Sequence, residues 1–388
     1  MIKIRVAIFF ITLLVVGTIG LIASYYARGY RLNFKTFHFV PNGLFVVNSE
    51  PNGAQVFIDG ELKTATNSTL PLPPGTYDVL IKKEGFISWS KRLVIEKEIV
   101  TQVDAVIFPT APSLSAITFS GAYNPKPSSD LTRIAYGILP SFDNDKAGLW
   151  IIEAVDLPLG FKRESRQITD GDLTDATWDW SPDSREILLT TKTGVYLLDS
   201  GSYTAQNKRV NVSPKLDEIK KEWTDLKNKK LEAQLSRLPD ETKDIFERKV
   251  KEAVFSPDEN KILYTASGSA TIPLGLIKPL PGSSTQKQER DIKTNRIYAY
   301  DIKEDRNFLI TDTDNQIINW FPTSAHLVLA EPNKITIIDY DGTNRQVVYS
   351  GQYEAPHAYP SANQNRLIIL TNLGANSSIP NLYSLSLK

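Results

Sequence analysis

The 388-residue chain has no cysteine, a single methionine at Met1, and three histidines, His38, His326 and His357. Without cysteine there can be neither disulfides nor thiolate metal sites, although the redox compartment is left open. Three scattered histidines give no basis for a multi-histidine metal centre. An excess of one charge is also missing, since 44 Lys and Arg balance 44 Asp and Glu. No basic stripe therefore points to nucleic acid as a partner. No phosphate-binding glycine loop, HExxH pair or GxSxG elbow occurs, so no catalytic residue and no cofactor is assigned. What remains is an ordinary globular composition, 41% hydrophobic and 23% charged, in a chain long enough for two or three domains.

Long hydrophobic runs are absent with one exception. Residues 6–27, VAIFFITLLVVGTIGLIASYYA, carry no charge. As a helix this segment rises roughly 33 Å, enough to cross a bilayer core of ~30 Å. Tyr25, Tyr26 and Tyr30 stand where interfacial aromatics are expected. Lys3 and Arg5 precede the run and Arg28 and Arg31 follow it, so charge does not choose an orientation. A cleaved signal would have a shorter apolar core, about 7–15 residues, ending in a small-residue site. None is found near residues 23–27, and an uncleaved anchor is expected.

Apolar and polar residues alternate in short runs at 44–47, 55–58, 77–81, 92–95 and 103–108. Turn formers separate them: Pro51-Asn52-Gly53, Asp59-Gly60, Pro73-Pro74-Gly75 and Glu84-Gly85. This pattern predicts a small antiparallel β-sandwich. Pro51-Asn52-Gly53-Ala54, Val56-Phe57-Ile58-Asp59-Gly60, Leu72-Pro73-Pro74-Gly75-Thr76-Tyr77 and Lys83-Glu84-Gly85-Phe86 together resemble a PEGA domain, a family of prokaryotic cell surfaces. Asn52 replaces the usual glutamate, and Lys63-Thr64-Ala65-Thr66 stands where the family carries Gly-x-Thr-Pro. The matching residues are turn-makers, so the resemblance implies a fold and a surface location rather than a ligand.

From about residue 111 a second pattern recurs. An apolar-aromatic run reaches a turn at Pro127, Pro182, Pro257, Pro322 or Pro360, and strands follow at 133–136, 186–189, 261–264, 326–329 and 366–369. Third strands are expected at 149–152, 194–198, 296–300, 334–338 and 381–385, and outer strands at 165–168, 307–310 and 346–349. Serial four-stranded units are the mark of a β-propeller. Ser181-Pro182-Asp183-Ser184, Ser256-Pro257-Asp258-Glu259 and Asp339-Tyr340-Asp341-Gly342 resemble turns of TolB-like and WD40-like propellers. Five blades fit the count, with six if one divergent unit is hidden. The stretch 113–118 would supply the outer strand that the last unit lacks, closing the ring without an open edge.

The expected fold is mainly β: residues 1–38 as tip, transmembrane anchor and linker, 39–109 as the PEGA-like sandwich, and 110–388 as the propeller. Two insertions interrupt the propeller. Residues 213–251 read as a helical hairpin, with Ser213 as cap and Pro214 in the first turn. Leu216, Ile219, Trp223 and Leu226 form an apolar stripe there, the candidate partner-binding face of a docking or dimerisation arm, with a decoration packed on the propeller flank as the plainer alternative. Residues 267–292, rich in Gly, Ser and Pro, read as a long mobile loop.

Asp143-Asn144-Asp145 and Asp312-Thr313-Asp314-Asn315 have oxygen-ligand character without a full calcium-loop pattern, so solvated turns are expected and no metal is assigned. Counting back three residues from each turn proline gives Asn124, Asp179, Val254, Asn319 and His357. In register these share one strand face, and the polar four, Asn124, Asp179, Asn319 and His357, are the candidate ligand-binding residues of a central channel. Two residues back stand Pro125, Trp180, Phe255, Trp320 and Ala358, expected to pack between blades. Only Asp179 of the first set is acidic, Glu252 and Glu354 being off register, so a glycosidase with paired carboxylates is disfavoured. The expected role is non-catalytic: a single-pass cell-envelope protein with extracytoplasmic domains, binding an envelope protein or a cell-wall glycan. The alternatives are a carbohydrate-active hydrolase using the channel and a structural subunit of a surface layer.

Overall fold

The computed structural model describes residues 2–27, 29–33, 38–154, 165–278, 280–375 and 379–388. Arg28, one of the basic residues flanking the apolar run, lies outside them. Helix α1, Ile2–Ala27, contains that run, and none of its Ile8–Ala27 portion is buried. Its threonines do not interrupt it, because Thr12 and Thr18 donate their hydroxyls to the carbonyls of Ile8 and Leu14, four residues back. A polar group satisfied within its own helix is tolerated in an apolar surrounding.

By contacts the chain divides into two units, Met1–Ile107 with Lys278–Lys287, and Phe108–Ile277 with Gln288–Lys388. In the first, Asp59 and Gly60 both take positive φ, 50° and 83°. A two-residue hairpin turn of this hand requires that conformation, and it folds Gln55–Ile58 onto Glu61–Ala65. Gly75–Lys82 and Trp89–Ile95 complete a four-stranded sheet. A second sheet runs Ser68–Leu72, Gly43–Glu50, Val100–Val106. Period-two alternation turns Phe45, Val47, Val103 and Ala105 of one sheet towards Val56, Ile58, Val79 and Ile81 of the other in a single buried core. Two features differ from the expected antiparallel sandwich. Gly43–Glu50 pairs in parallel with Val100–Val106, which a turn-by-turn reading of neighbouring strands cannot see. Glu61–Ala65 and Ser68–Leu72 are additional strands. Thr66 between them is buried, taking the Ala54 amide on its hydroxyl at 2.9 Å and meeting the Ser49 hydroxyl at 2.7 Å. These bonds tie the segment that departs from the family's motif to Ser49 and Ala54.

The second unit is a five-bladed β-propeller of consecutive antiparallel sheets. The first is Tyr123–Pro127, Arg133–Ile138, Gly148–Glu153, Arg166–Asp170. The second has three strands, Thr177–Trp180, Glu186–Thr191 and Gly194–Asp199, and a single bridge from Tyr196 to Asn211 at its outer edge. The third is Val250–Phe255, Lys261–Ala266, Ile297–Asp301, Arg306–Thr311, and the fourth Ile318–Trp320, His326–Glu331, Lys334–Asp339, Gln346–Ser350. The fifth runs Ala358–Pro360, Arg366–Thr371, Asn381–Ser386, and its outer strand is Leu114–Ala116 from the start of the unit. The outer strand is thus borrowed from within 113–118, as the sequence suggested. Buried clusters weld neighbouring blades: Ile134 and Tyr136 with Ile368 and Leu382, Leu149 and Ile151 with Trp178 and Leu189, Leu263 and Ala299 with Leu327 and Leu329.

Both insertions are more tightly held than their composition suggested. Ser213 does not cap a helix: it starts a short 3-10 turn, and its hydroxyl accepts the Val195 amide of the second blade. Helix α2, Leu216–Leu235, and helix α3, Asp240–Lys249, then form the hairpin. Leu235, Leu238 and Phe246 are buried with Tyr264, Tyr298 and Tyr300 of the third blade, the Phe246 and Tyr264 rings lying 4.7 Å apart. The reading of 267–292 as a mobile loop is corrected at its ends. Ala270–Thr271 pairs with Asp291–Ile292, Ile272 and Ile292 are buried, and the Arg290 guanidinium bonds the carbonyls of Ile272, Pro273 and Asp305. Between those ends, Gln286 in the first unit donates to the Arg92 carbonyl at 2.7 Å. Buried isoleucines and one buried arginine hold a segment whose average composition is that of a linker.

Candidate binding site

Serine, not proline, marks the turn after the inner strand in four of the five blades, with Phe321 in its place in the fourth. In Ser181-Pro182-Asp183-Ser184, Ser256-Pro257-Asp258-Glu259 and Phe321-Pro322-Thr323-Ser324 the fourth residue is left-handed, with φ of 63°, 56° and 59°. In the first and fifth blades the left-handed residues are Leu131, φ 57°, and Gln364, φ 62°. Their turns are therefore Ser128-Ser129-Asp130-Leu131 and Ser361-Ala362-Asn363-Gln364. The chemistry agrees: Ser128, Ser181 and Ser256 donate to Asp130, Asp183 and Asp258 at 2.5, 2.6 and 2.6 Å. The same hydroxyls accept the amides of Arg133, Glu186 and Lys261. Pro127 and Pro360 precede their turns and occupy the place of Trp180, opposite Ile134 and Leu367 as Trp180 lies opposite Ile187.

The inner-strand positions in register are consequently Lys126, Asp179, Val254, Asn319 and Tyr359. Asp179 and Asn319 keep their places, but Asn124 and His357 stand two residues upstream. Asn124 lies in a bulge between Tyr123 and Lys126 with φ 46°. A proline fits both a turn and a strand edge that needs no amide, so aligning on proline shifted two blades by two residues. The alternation itself holds. Asp179 and Val254 are exposed and Lys126, Asn319 and Tyr359 half-buried. One residue on, Trp180 and Trp320 are buried and donate their indole N–H to the carbonyls of Lys126 and Val254 in the preceding blade, each at 2.9 Å.

Two contacts organise this face. The Lys126 ammonium lies 2.7 Å from the Asp179 carboxylate. The Tyr359 hydroxyl donates to the Pro125 carbonyl at 2.8 Å and meets Nδ1 of His357 at 2.7 Å. With its one proton on the carbonyl, that hydroxyl accepts from His357, which fixes Nδ1–H as the donor. Burial pushes the His357 imidazole below its ordinary value of 6.5. The sign follows: below about pH 6.5 the unfolded chain binds a proton that the folded His357 refuses, so stability falls as pH drops from there towards the depressed folded value. The denaturation midpoint of the native chain should therefore lose ground to that of His357→Gln between pH 7.5 and 5.5. An unchanged difference between the two proteins would contradict this.

Lys126, Asp179 and Trp180 also line a cavity of about 440 Å³, whose opposite wall is α2. Lys220, Trp223, Thr224 and Lys227 reach it from that helix. They are spaced i, i+3, i+4 and i+7, one face of a helix. Glu222 lies close to the second blade as well, since burial and then the charges of Asp183, Asp199 and Glu222 raise the Glu186 carboxyl above the usual range. The expected partner-binding stripe is therefore divided. Leu216, Ile219 and Trp223 are half-covered, with Trp223 facing the cavity, and only Leu226 is exposed, at 48%. Sequence reasoning missed Lys126, Lys220 and Lys227. The Ser-x-Asp spacing would have found the first, and two lysines flanking Trp223 seven residues apart would have found the others.

The acidic turns are occupied by cations of the chain. Asp143 pairs with Lys146 at 3.4 Å, Asp312 with Arg296 at 3.0 Å and Asp314 with Lys251 at 3.2 Å.

The first unit has its own signature in the two-sheet core, the Asp59-Gly60 turn and the buried Thr66. Residues 42–110 match the PEGA domain. In this PEGA domain the quoted motifs build turns: Asp59 donates its amide to the Asp78 carbonyl and accepts the Asp78 amide on Oδ1, each at 2.9 Å. No curated protein matches the chain. Among solved structures, the chain is similar to a putative TolB from Agrobacterium tumefaciens, at 12% identity over 68% of this chain and 78% of that one, with a TM-score of 0.24. TolB from Acinetobacter baumannii is 14% identical over 89% of this chain and 64% of that one, with a TM-score of 0.22. A β-propeller domain from Myceliophteria thermophila is 9% identical over 71% of this chain and all (100%) of that one, with a TM-score of 0.33.

Proposed function

We propose that this chain is a single-pass membrane-anchored envelope protein that presents a PEGA domain and a non-catalytic β-propeller for binding. The observation that carries the reading is α1: Ile8–Ala27 is long and apolar enough to span a bilayer, and none of it is buried in the protein. A helix apolar all round that packs on no core finds its apolar phase in lipid. The PEGA match supports the prokaryotic cell surface as the side for the remaining chain. For the propeller, the cavity beside Asp179 supports binding rather than hydrolysis. Glycoside cleavage uses two carboxyl groups about 5–9.5 Å apart. Asp179 is the one carboxylate lining the cavity, and Lys126 engages it.

Protease treatment of intact cells, followed by an alkaline wash of the membranes, tests the reading. The propeller should be digested from outside while the untreated chain stays with the membrane pellet and keeps residues 1–27. A protected propeller, or a released chain beginning beyond α1, would refute it.

A further inference from the structure

The cavity between α2 and the inner strands has a composition that the non-catalytic binding role, on which this inference rests, leaves unspecified. Its only carboxylate is matched by Lys126. Lys220 and Lys227 have no ion-pair partner within 4 Å among the described residues, so two unpaired ammonium groups border the cavity. They stand two helical turns apart, about 10 Å, with Trp223 between them on the same face. Trp180 is opposite, buried, with its indole N–H used by the Lys126 carbonyl and the Arg133 guanidinium over its ring, so it lines the cavity without offering a ligand a free polar group. About 440 Å³ is the size of a small-ligand pocket, room for a sugar ring or two and too little for a folded partner.

We propose that this cavity binds an acidic saccharide. The C–H face of a ring lies against Trp223, its carboxylate or phosphate groups are held by Lys220 and Lys227, and the Thr224 hydroxyl accepts from a ring hydroxyl. Indole faces take apolar, weakly positive C–H surface well because the ring quadrupole presents negative charge there. Two ammonium groups set apart along a helix favour a ligand with repeated charges over a single anion.

The test uses the full chain in detergent micelles and tryptophan fluorescence. Four probes are titrated: a uronic-acid oligosaccharide, its carboxyl-reduced neutral counterpart, a sugar-phosphate oligomer of pyranose rings and oligo-glutamate. The uronate or the sugar phosphate should saturate the protein, and which of them does so identifies the carboxylate or the phosphate as the anion. Binding should weaken with salt, and at least tenfold in Lys220→Ala/Lys227→Ala. Trp223→Leu should lose it to a similar degree, while Leu226→Ala retains it, each variant being checked for an unchanged melting temperature. Equal affinity for the neutral counterpart, tighter binding of oligo-glutamate than of either anionic glycan, no saturable binding by either, or an unaffected double-lysine variant would overturn the proposal. Reducing ends are counted in the same mixtures. Their release would overturn the non-catalytic reading and leave the ligand assignment standing, so the two fail separately.

Discussion

Replacing Asp305 by alanine is expected to destabilise the propeller by about 3–5 kcal/mol, the usual cost of leaving a buried charge without its partner. Arg290 and Asp305 side chains are only 9% and 6% exposed and lie 2.7 Å apart. Asp305 also accepts the Tyr300 hydroxyl at 2.8 Å, and Arg290 reaches Gln288 and three carbonyls. Arg290→Met should cost a similar amount, because it strands the carboxylate with one hydroxyl. Set against a typical total of 5–15 kcal/mol, either change brings the domain near its unfolding threshold. The pair removed together, as Arg290→Met with Asp305→Ala, should be less costly than the sum by about 1.5 kcal/mol, since neither charge is then left behind. Urea midpoints of the four proteins measure this directly. Strict additivity would mean that the guanidinium works through its carbonyl bonds alone.

Much of this architecture was legible in the sequence because local signals and the global fold agree. Second and third strands were read correctly in all five blades, since strands such as Leu367-Ile368-Ile369 are apolar runs bounded by turn formers, and central strands buried on both faces read that way. The pairing of 113–118 was inferable because the fifth unit shows only three strand runs, which leaves its outer position to another segment. The parallel pairing of Gly43–Glu50 was not, because partners 56 residues apart in chain order leave no mark on either segment. The candidate site was half legible. Alternation put Asp179 and Trp180 on opposite faces, as observed, but proline was a poor ruler: Pro127 and Pro360 sit in strands while Ser129 and Ala362 hold their places in the turns. The wall supplied by α2 lay beyond reach, for an amphipathic stripe tells that a helix packs and not on what. Trp223 stood on a stripe read either as a docking arm or as a decoration packed on the propeller flank, and it faces the blades.

The central claim is that the propeller closes through Leu114–Ala116 on Asn381–Ser386, for that closure holds the ring on which Lys126, Asp179 and Tyr359 are set. Ser115 and Ser384 are direct partners in this pairing. Residues bonded across an antiparallel ladder have Cα atoms about 5.5 Å apart, within the range a disulfide spans. The chain has no cysteine of its own, so Ser115→Cys/Ser384→Cys can form only this one intramolecular bridge. By chain entropy, tying residue 115 to residue 384 stabilises the fold by up to about 5 kcal/mol. The decisive measurement is thiol titration of the folded, oxidised double variant, with its melting temperature. The account predicts no free thiol, a reducible mobility shift on a denaturing gel and a higher melting point than the reduced form. Two free thiols that react with a labelling reagent in the folded protein would contradict it.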